Sequence, residues 1–175
     1  PIEATHEGMA RGAGKLWCSL IDSLVQHPVD ALILVADRWE VLPAAGVASY
    51  LRIPLIHFQG GEITGCIDDK VRNAVTRLSD FHFCSTLQAQ KYLVQSGEDK
   101  KTVFHTGCPS LDLIRLTRMK NTPSKDRYLL SIFHPETENV AAAFNQTKAA
   151  LEATLSYCLE QGVKCHWYYP NPDPG

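Results

Sequence analysis

Apolar and polar residues alternate along the chain in the order expected of a parallel sheet covered by helices. Residues 6–26 carry apolar side chains at helical spacing, whereas residues 31–36 form a continuous apolar run typical of a strand buried on both faces. The same alternation predicts helices at residues 40–51, 68–78 and 86–95 and from Ser110, and strands at residues 53–58, 81–84 and 102–105. Strand–helix repeats of this kind need right-handed crossovers, so we predict a Rossmann-like, doubly wound parallel α/β sheet.

The composition changes between residues 117 and 126, where Arg, Lys, Asn, Thr, Pro and Ser replace the periodic pattern. Such a composition is typical of a linker between two compact units. We therefore predict a partial N-terminal domain over residues 1–120 and the beginning of a second domain over residues 126–175. The chain opens without a methionine and closes on a turn sequence after an apolar strand, so we expect it to be incomplete at both ends.

The second unit repeats the strand–helix–strand order. Strands are predicted at residues 128–133 and 163–169, with a helix at residues 139–160 between them. The apolar side chains that share one stripe of this helix are Val140, Phe144, Leu151, Leu155 and Leu159. We expect this stripe to pack on the sheet.

Charge and cysteine usage narrow the class of partner. A net charge of −2, without a Lys/Arg run, gives no field that would gather nucleic acid or an anionic membrane surface. The six cysteines lie far apart without metal-ligand spacing, and no apolar run approaches the ~20 residues that span a bilayer. We expect a cytosolic protein with reduced cysteines that binds a small molecule, with no nucleic acid, membrane or metal partner.

Polar, charged or glycine residues follow nearly every predicted strand, where ligands bind in open parallel sheets. They include Asp37, Arg38, Glu40, His57, Gln59, Gly60, Gly61, Glu62, Gly107, Cys108, His134 and Asn171. The sequence lacks the G-x-G-x-x-G and G-x-x-x-x-G-K-[ST] phosphate loops. The remaining candidates are carboxylates, arginines and histidines, a set that suits proton transfer near an anionic leaving group.

Structural roles compete with functional ones at several positions. Asp37 is as well suited to capping the following helix as to catalysis, and Gly60-Gly61 by themselves favour a simple turn. His82 lies within an apolar run, which favours a core histidine over a ligand-binding one.

An acidic pair opens the helix predicted at residues 68–78. Asp68 and Asp69 lie four and three residues before Arg72, so each shares a helix face with it. Such a pair either stabilises the helix by a few tenths of a kcal/mol or holds a carboxylate in place as an acid or base, and the spacing favours neither.

Seven segments, in order and in register, resemble the hydrolysing UDP-N-acetylglucosamine 2-epimerases of the sialic-acid pathway type. They are Ala36-Asp-Arg-Trp-Glu40, His57-Phe-Gln-Gly-Gly-Glu-Ile-Thr-Gly65, Ile67-Asp-Asp69, Arg72-Asn-Ala-Val-Thr76, Gly107-Cys-Pro-Ser-Leu-Asp112, His134-Pro135 and Pro170-Asn-Pro-Asp-Pro-Gly175. The resemblance implies a two-domain fold of the glycosyltransferase-B type, of which this chain is an interior piece.

The resemblance also implies an activity. Such enzymes eliminate the nucleoside diphosphate from C1 of a UDP-sugar while removing the C2 proton. They then hydrate the resulting glycal, which releases UDP and N-acetylmannosamine or a related acetamido sugar, and they use no metal or other cofactor.

Site residues follow from the resemblance position by position. The implied catalytic residues are Asp37, Glu62, Asp68, Asp69 and Arg72. The implied substrate contacts are Arg38, His57, Gln59, Gly60, Gly61, His82, His134 and Asn171. Gln59 stands where many relatives have a glutamate, which removes one candidate base from this chain.

Three alternatives remain open. One is a non-hydrolysing nucleotide-sugar 2-epimerase, another is a glycosyltransferase of the same architecture, and the third is an inactive, truncated nucleotide-binding fragment. We expect little or no turnover by the isolated chain. Homo-oligomer formation is also left open.

Overall fold

A computed structural model describes residues 5–64, 67–118, 126–135 and 140–170 of the chain. The chain divides into two compact units, Pro1–Met119 and Lys120–Gly175, which are described separately below.

The described part of the first unit alternates helices and strands as the sequence pattern predicts. Its elements are α1 (His6–Gln26), β1 (Leu32–Val35), α2 (Val41–Leu51), β2 (Leu55–Phe58), α3 (Ile67–Leu78), β3 (Phe81–Cys84), α4 (Leu87–Gln95), β4 (Val103–His105) and α5 (Pro109–Arg118). Local chemistry defines several helix ends. Thr5 and Thr86 occupy N-cap positions, and each hydroxyl accepts a hydrogen bond of 3.0 Å from an N–H in the first turn.

The four strands of the first unit form a parallel sheet in the order β1-β2-β3-β4. Each crossover moves one strand in the same direction, so right-handed connections place α2, α3 and α4 on one face. Burial alternates accordingly: the inward-facing residues are Leu34, Leu55, His57, His82, Cys84 and Val103. The predicted parallel α/β sheet is confirmed. Within the described residues, the connecting helices cover one of its two faces.

The opposite face of this sheet carries an aromatic row. Phe58 stacks on Phe83 with ring centroids 4.8 Å apart, and Phe83 stacks on Phe104 at 5.3 Å. The row follows the strand register, because Phe58 pairs with Phe83 and Phe83 with Phe104 in the parallel ladder.

Helix α2 packs closely against α1 at a glycine. A Cβ atom at Gly46 would lie 2.1 Å from the Trp17 ring, so only a hydrogen fits there. The buried Ala45 and Ala48 of α2 contribute to the core together with Leu55 of β2. Small residues on α2 therefore let this helix lie close to both of its neighbours.

The second unit pairs β5 (Tyr128–Ile132) with β6 (Lys164–Tyr168) in parallel, and α6 (Val140–Gln161) connects them. The packing face predicted for α6 is wrong. Phe144 is 71% exposed and Leu159 84% exposed, whereas Ala143 and Cys158 are buried. Leu151 and Leu155 are exposed too, and the side chain of Val140 lies outside the described residues.

None of the helices in the described part of the chain combines the length and apolar character needed to cross a lipid bilayer.

Candidate functional site

Left-handed backbone marks the carboxyl ends of two adjacent strands. Ala36, directly after β1, has φ 62°, and Gln59, directly after β2, has φ 64°. Non-glycine residues seldom adopt this conformation, and it is concentrated at functional sites. The amides of Ala36 and Gln59 still extend the sheet ladder, with bonds of 3.0 Å to Phe58 O and 2.9 Å to Phe83 O. The segments after β1 and β2 therefore both turn away from the sheet at the same edge.

A buried arginine connects three segments at this edge. The Arg72 side chain, on α3, is only 2% exposed. Its Nη2 donates to Asp37 Oδ2, and its Nη1 donates to Asp69 Oδ1 at 2.6 Å and to the main-chain oxygen of Glu62. Burial alone lowers the pKa of Arg72, but its hydrogen bonds and charge attraction to Asp37 and then to Asp69 outweigh burial and raise that pKa. Arg72 is therefore a permanent cation between two carboxylates.

Asp69 receives several donors on one oxygen. Besides Arg72, the Thr64 amide donates to Asp69 Oδ1 at 2.9 Å and the Thr64 hydroxyl at 2.8 Å. Asp69 lies in the first turn of α3, where a negative charge also suits the helix dipole. Asp68, its neighbour in that turn, is half-buried.

The side chain of Asp37 pairs with Arg72 and does not cap helix α2. Helix α2 begins at Val41 with Glu40 at its N-cap position, and the Asp37 carboxylate pairs with Arg72 instead. Arg38, the next residue, makes two hydrogen bonds of 3.2 and 3.1 Å to the Glu40 carboxylate and is exposed.

His57 lies inside the protein, beneath the cluster. Its side chain is 0% exposed; Nε2 lies 2.9 Å from the Ala36 carbonyl oxygen, and Nδ1 lies 3.2 Å from Thr76 Oγ1. A carbonyl only accepts, so Nε2 carries the proton and Nδ1 accepts from the Thr76 hydroxyl. Burial lowers the pKa of His57 and favours this neutral form. The geometry departs from the predicted substrate contact, because both ring nitrogens already bond within the protein.

His82 occupies an equally buried position, as the core-histidine alternative predicts. It is 1% exposed, and its Nε2 lies 3.3 Å from Glu98, which also pairs with Arg77. Burial lowers the pKa of His82 more than Glu98 raises it. The predicted substrate contact at His82 has no geometric support, because the ring lies below the surface of the sheet edge.

The two glycines after Gln59 are required by packing. A Cβ atom at Gly60 would lie 2.9 Å from His57 Nδ1. Gly61 has φ 84°, and a Cβ atom there would lie 2.6 Å from the main-chain oxygen of Ala89. The loop therefore lies directly against α4, and Glu62, which follows it, presents its main-chain oxygen to Arg72 while its side chain is exposed.

Gln59 connects this loop to the start of α5. Its side-chain amide donates to Cys108 Sγ at 3.3 Å. Hydrogen bonds from the Ser110 amide and hydroxyl are the main causes of a lowered pKa at Cys108, and the Leu111 amide and Gln59 add to the effect. The thiol of Cys108 thus lies among hydrogen-bond donors that favour its ionised form.

The structure brings together Asp37, Asp69, Arg72 and the main chain of Glu62. His134 follows β5 in the second unit and is exposed, whereas Asn171 lies outside the described residues. Sequence reasoning placed Thr64 and Cys108 after strands without predicting their contacts, and it did not name Thr76 as a partner of the site. A signal existed for Thr64, a hydroxyl residue shortly before an acid-headed helix, whereas nothing local connects Thr76 or Cys108 to residues 19 and 49 positions away.

Comparison with known proteins decides the family. Residues 1–173 match the family described as UDP-N-acetylglucosamine 2-epimerase. The chain belongs to this family.

Individual relatives agree with the family. The hydrolysing UDP-N,N'-diacetylbacillosamine 2-epimerase of Legionella pneumophila is 32% identical over 182 residues, covering 98% of this chain and 47% of the relative. The UDP-N-acetylglucosamine 2-epimerase of Neisseria meningitidis is 31% identical, covering 83% of this chain and 40% of the relative. The chain thus spans less than half the length of these two relatives.

Solved structures show the same fold. The UDP-GlcNAc 2-epimerase of Methanocaldococcus jannaschii, in complex with UDP-GlcNAc and UDP, superimposes with a TM-score of 0.78 at 20% identity. The match covers 94% of this chain and 48% of that protein.

Proposed function

We propose that the protein carrying this chain is a hydrolysing UDP-sugar 2-epimerase that acts on a UDP-linked acetamido sugar. The observation that supports this most directly is the Arg72-bridged pair of carboxylates, Asp37 and Asp69, at the carboxyl edge of the sheet. Ligands bind at that edge in open parallel sheets. We also propose that residues 1–120 belong to the N-terminal domain of this enzyme and that residues 126–175 begin its second domain.

The charge of this cluster suits the elimination step. Two carboxylates and one guanidinium leave one net negative charge at the site. When the diphosphate leaves C1, positive charge develops at the sugar carbon, and a fixed negative cluster stabilises that charge. Asp37 is proposed to act directly on the sugar, with Arg72 holding its carboxylate in one orientation.

Proton transfer at C2 needs an acid–base group beside the sugar. The carboxylates of Asp68 and Glu62 are proposed for this task, and a positioned group of this kind contributes about 10²–10⁴-fold. Gln59 is proposed to contact the sugar through its side-chain amide. It is not proposed as a catalytic base, because an amide does not take up a proton near neutral pH. Arg38, His134 and Asn171 are proposed to contact the nucleotide.

The hydrolysing form is favoured over the non-hydrolysing one by two observations. The Legionella relative is named as hydrolysing, and so is a Campylobacter jejuni relative that is 34% identical over 134 residues. The motif His57-x-x-Gly-Gly-Glu62 and the pair His134-Pro135 also resemble the hydrolysing branch.

Product analysis of the full-length protein tests the proposal. Incubation with UDP-N-acetylglucosamine and, separately, with UDP-N,N'-diacetylbacillosamine in deuterated water should release UDP and a 2-epimerised free sugar carrying deuterium at C2. An epimerised sugar that remains attached to UDP would indicate the non-hydrolysing reaction, and transfer to an added acceptor would indicate a glycosyltransferase. The isolated 175-residue chain, assayed in parallel, is expected to show little or no turnover.

A further inference from the structure

The hydrogen bonds at Asp69 separate its role from that of Asp68. Three donors converge on Asp69 Oδ1: the Thr64 amide at 2.9 Å, the Thr64 hydroxyl at 2.8 Å and Arg72 Nη1 at 2.6 Å. A carboxylate oxygen has two lone-pair sites, so three donors saturate it. Two of these donors come from Thr64 and one from a buried guanidinium, a set that suits a carboxylate acting only as an acceptor.

The partners of Asp69 are parts of the site rather than distant residues. Thr64 lies four residues after Gly60 in the segment that follows β2, and Arg72 holds the main chain of Glu62 in the same segment. The other arm of Arg72 holds Asp37. Asp69 therefore fixes both the loop and the guanidinium that orients Asp37.

We propose that Asp69 is a positioning residue that stays ionised through the reaction and acts through Thr64 and Arg72, whereas proton transfer belongs to another carboxylate. This assignment rests on the proposed epimerase function. It assigns different roles to Asp68 and Asp69 at the start of α3, which the sequence alone does not distinguish.

A pH profile of the full-length protein distinguishes the two roles. Asp69→Asn keeps the size of the side chain but weakens its attraction for Arg72. We expect kcat to fall about 10- to 100-fold while both limbs of the profile keep their apparent pKa values. Loss of one limb would overturn the assignment, because it would mean that Asp69 itself titrates in catalysis.

Chemical rescue gives an independent readout. Asp69→Ala removes the carboxylate and leaves a space that formate can enter. A positioning residue makes its three bonds in a fixed geometry that a free formate ion does not reproduce. We therefore expect formate to raise the kcat of Asp69→Ala less than twofold. Restoration of tenfold or more would overturn the proposal.

Amide hydrogen exchange tests the positioning role without any activity. The Thr64 amide donates to Asp69 Oδ1, so Asp69→Ala should speed exchange at residues 60–64 by tenfold or more. Asp112→Ala is the matched control, because Asp112 and Arg115 form the same i, i+3 pair on an exposed part of α5. Unchanged exchange at residues 60–64 in Asp69→Ala would contradict the proposal.

The readouts also separate failure of this proposal from failure of the proposed function. If wild-type protein releases no UDP from either sugar nucleotide, the proposed function is wrong, and the exchange experiment still decides whether Asp69 orders the loop.

If Asp69→Ala does not fold, Thr64→Val replaces it: this variant removes the hydroxyl donor and retains the amide. It should lower kcat several-fold with unchanged limbs, and an unchanged kcat would overturn the proposal.

Discussion

Arg72 of α3 donates a hydrogen bond to Asp37 at the end of β1, a residue 35 positions earlier in the chain. The guanidinium is almost fully buried, whereas the Asp37 carboxylate is partly open to solvent. The contact thus connects the buried face of α3 to the edge of the sheet. It explains why an arginine occupies a buried position, since each of its described bonds holds part of that edge.

Replacing Arg72 by Met should destabilise the protein by about 3 kcal/mol, the lower end of the range for removing one partner of a buried ion pair. The lower end applies because Asp37 and Asp69 remain partly solvated. The free energy of unfolding from urea titration measures the effect. Arg115→Met, in an exposed pair of the same kind, should change that free energy by less than about 0.5 kcal/mol. Equal losses in the two variants would refute the structural role of Arg72.

The free energy of unfolding should decline in mild acid because of two buried histidines. His57 and His82 have folded-state pKa values lowered from 6.5, so the unfolded chain binds protons more readily than the folded one. Their contribution is fully present above pH 6.5 and is lost as pH falls from there towards the lowered folded-state values. Urea titrations between pH 8 and 5 measure the decline.

A His57→Asn variant controls for the other acid-sensitive groups. It removes one of the two titrations, so its stability should depend less steeply on pH over the same interval. A slope equal to that of the wild-type protein would mean that His57 does not contribute.

Cys108 should react with iodoacetamide at neutral pH faster than Cys84. Donors around its sulfur lower the pKa of Cys108, whereas burial raises the pKa of Cys84 to about 11. Mass spectrometry of briefly alkylated protein measures both rates, and the exposed Cys18 provides the reference rate. Gln59→Ala should slow Cys108, because it removes one of the donors. A Cys108 rate below that of Cys18 would contradict the geometry.

Substitution by alanine should be far more damaging at Gly61 than at Gly107. Both residues have positive φ, 84° and 86°, so both substitutions incur roughly 1–2 kcal/mol of backbone strain. Only at Gly61 does the added Cβ also meet a main-chain oxygen, at 2.6 Å, whereas nothing lies within 4 Å at Gly107. We expect Gly61→Ala to lose about 1–3 kcal/mol more than Gly107→Ala in thermal unfolding. Equal losses would mean that the loop moves away from α4 at no cost.

Periodicity predicted the secondary structure of this chain closely because each element has a strong local signal. Helix α1 and strand β3 have the predicted bounds, and α4 ends at residue 95 as predicted. The same signals failed at α6, where the apolar stripe containing Phe144 and Leu159 faces outward. Helical spacing shows which residues share a face, but it did not show which face of α6 is buried.

Residue type and position named candidate site residues from the sequence, but they did not give the three-dimensional partners that orient those residues. Asp37 and Arg72 were named from the sequence, and the structure places them in contact. The sequence did not show that His57 faces inward, because a histidine at a strand end is compatible with either face. One of the two partners of its ring is Thr76, which lies in a different element.

The hydrogen bonds around His57 have a fixed direction. The Thr76 hydroxyl donates to Nδ1, and Nε2 donates to the Ala36 carbonyl, so both dipoles point from α3 towards β1. Reversal would require a carbonyl to donate, which it does not do. The Ala36 carbonyl thus selects the tautomer of a buried ring, and the Thr76 hydroxyl matches that tautomer from α3. Thr76→Val would leave Nδ1 buried without its donor, so a substitution inside α3 would weaken the support of the main chain next to Asp37.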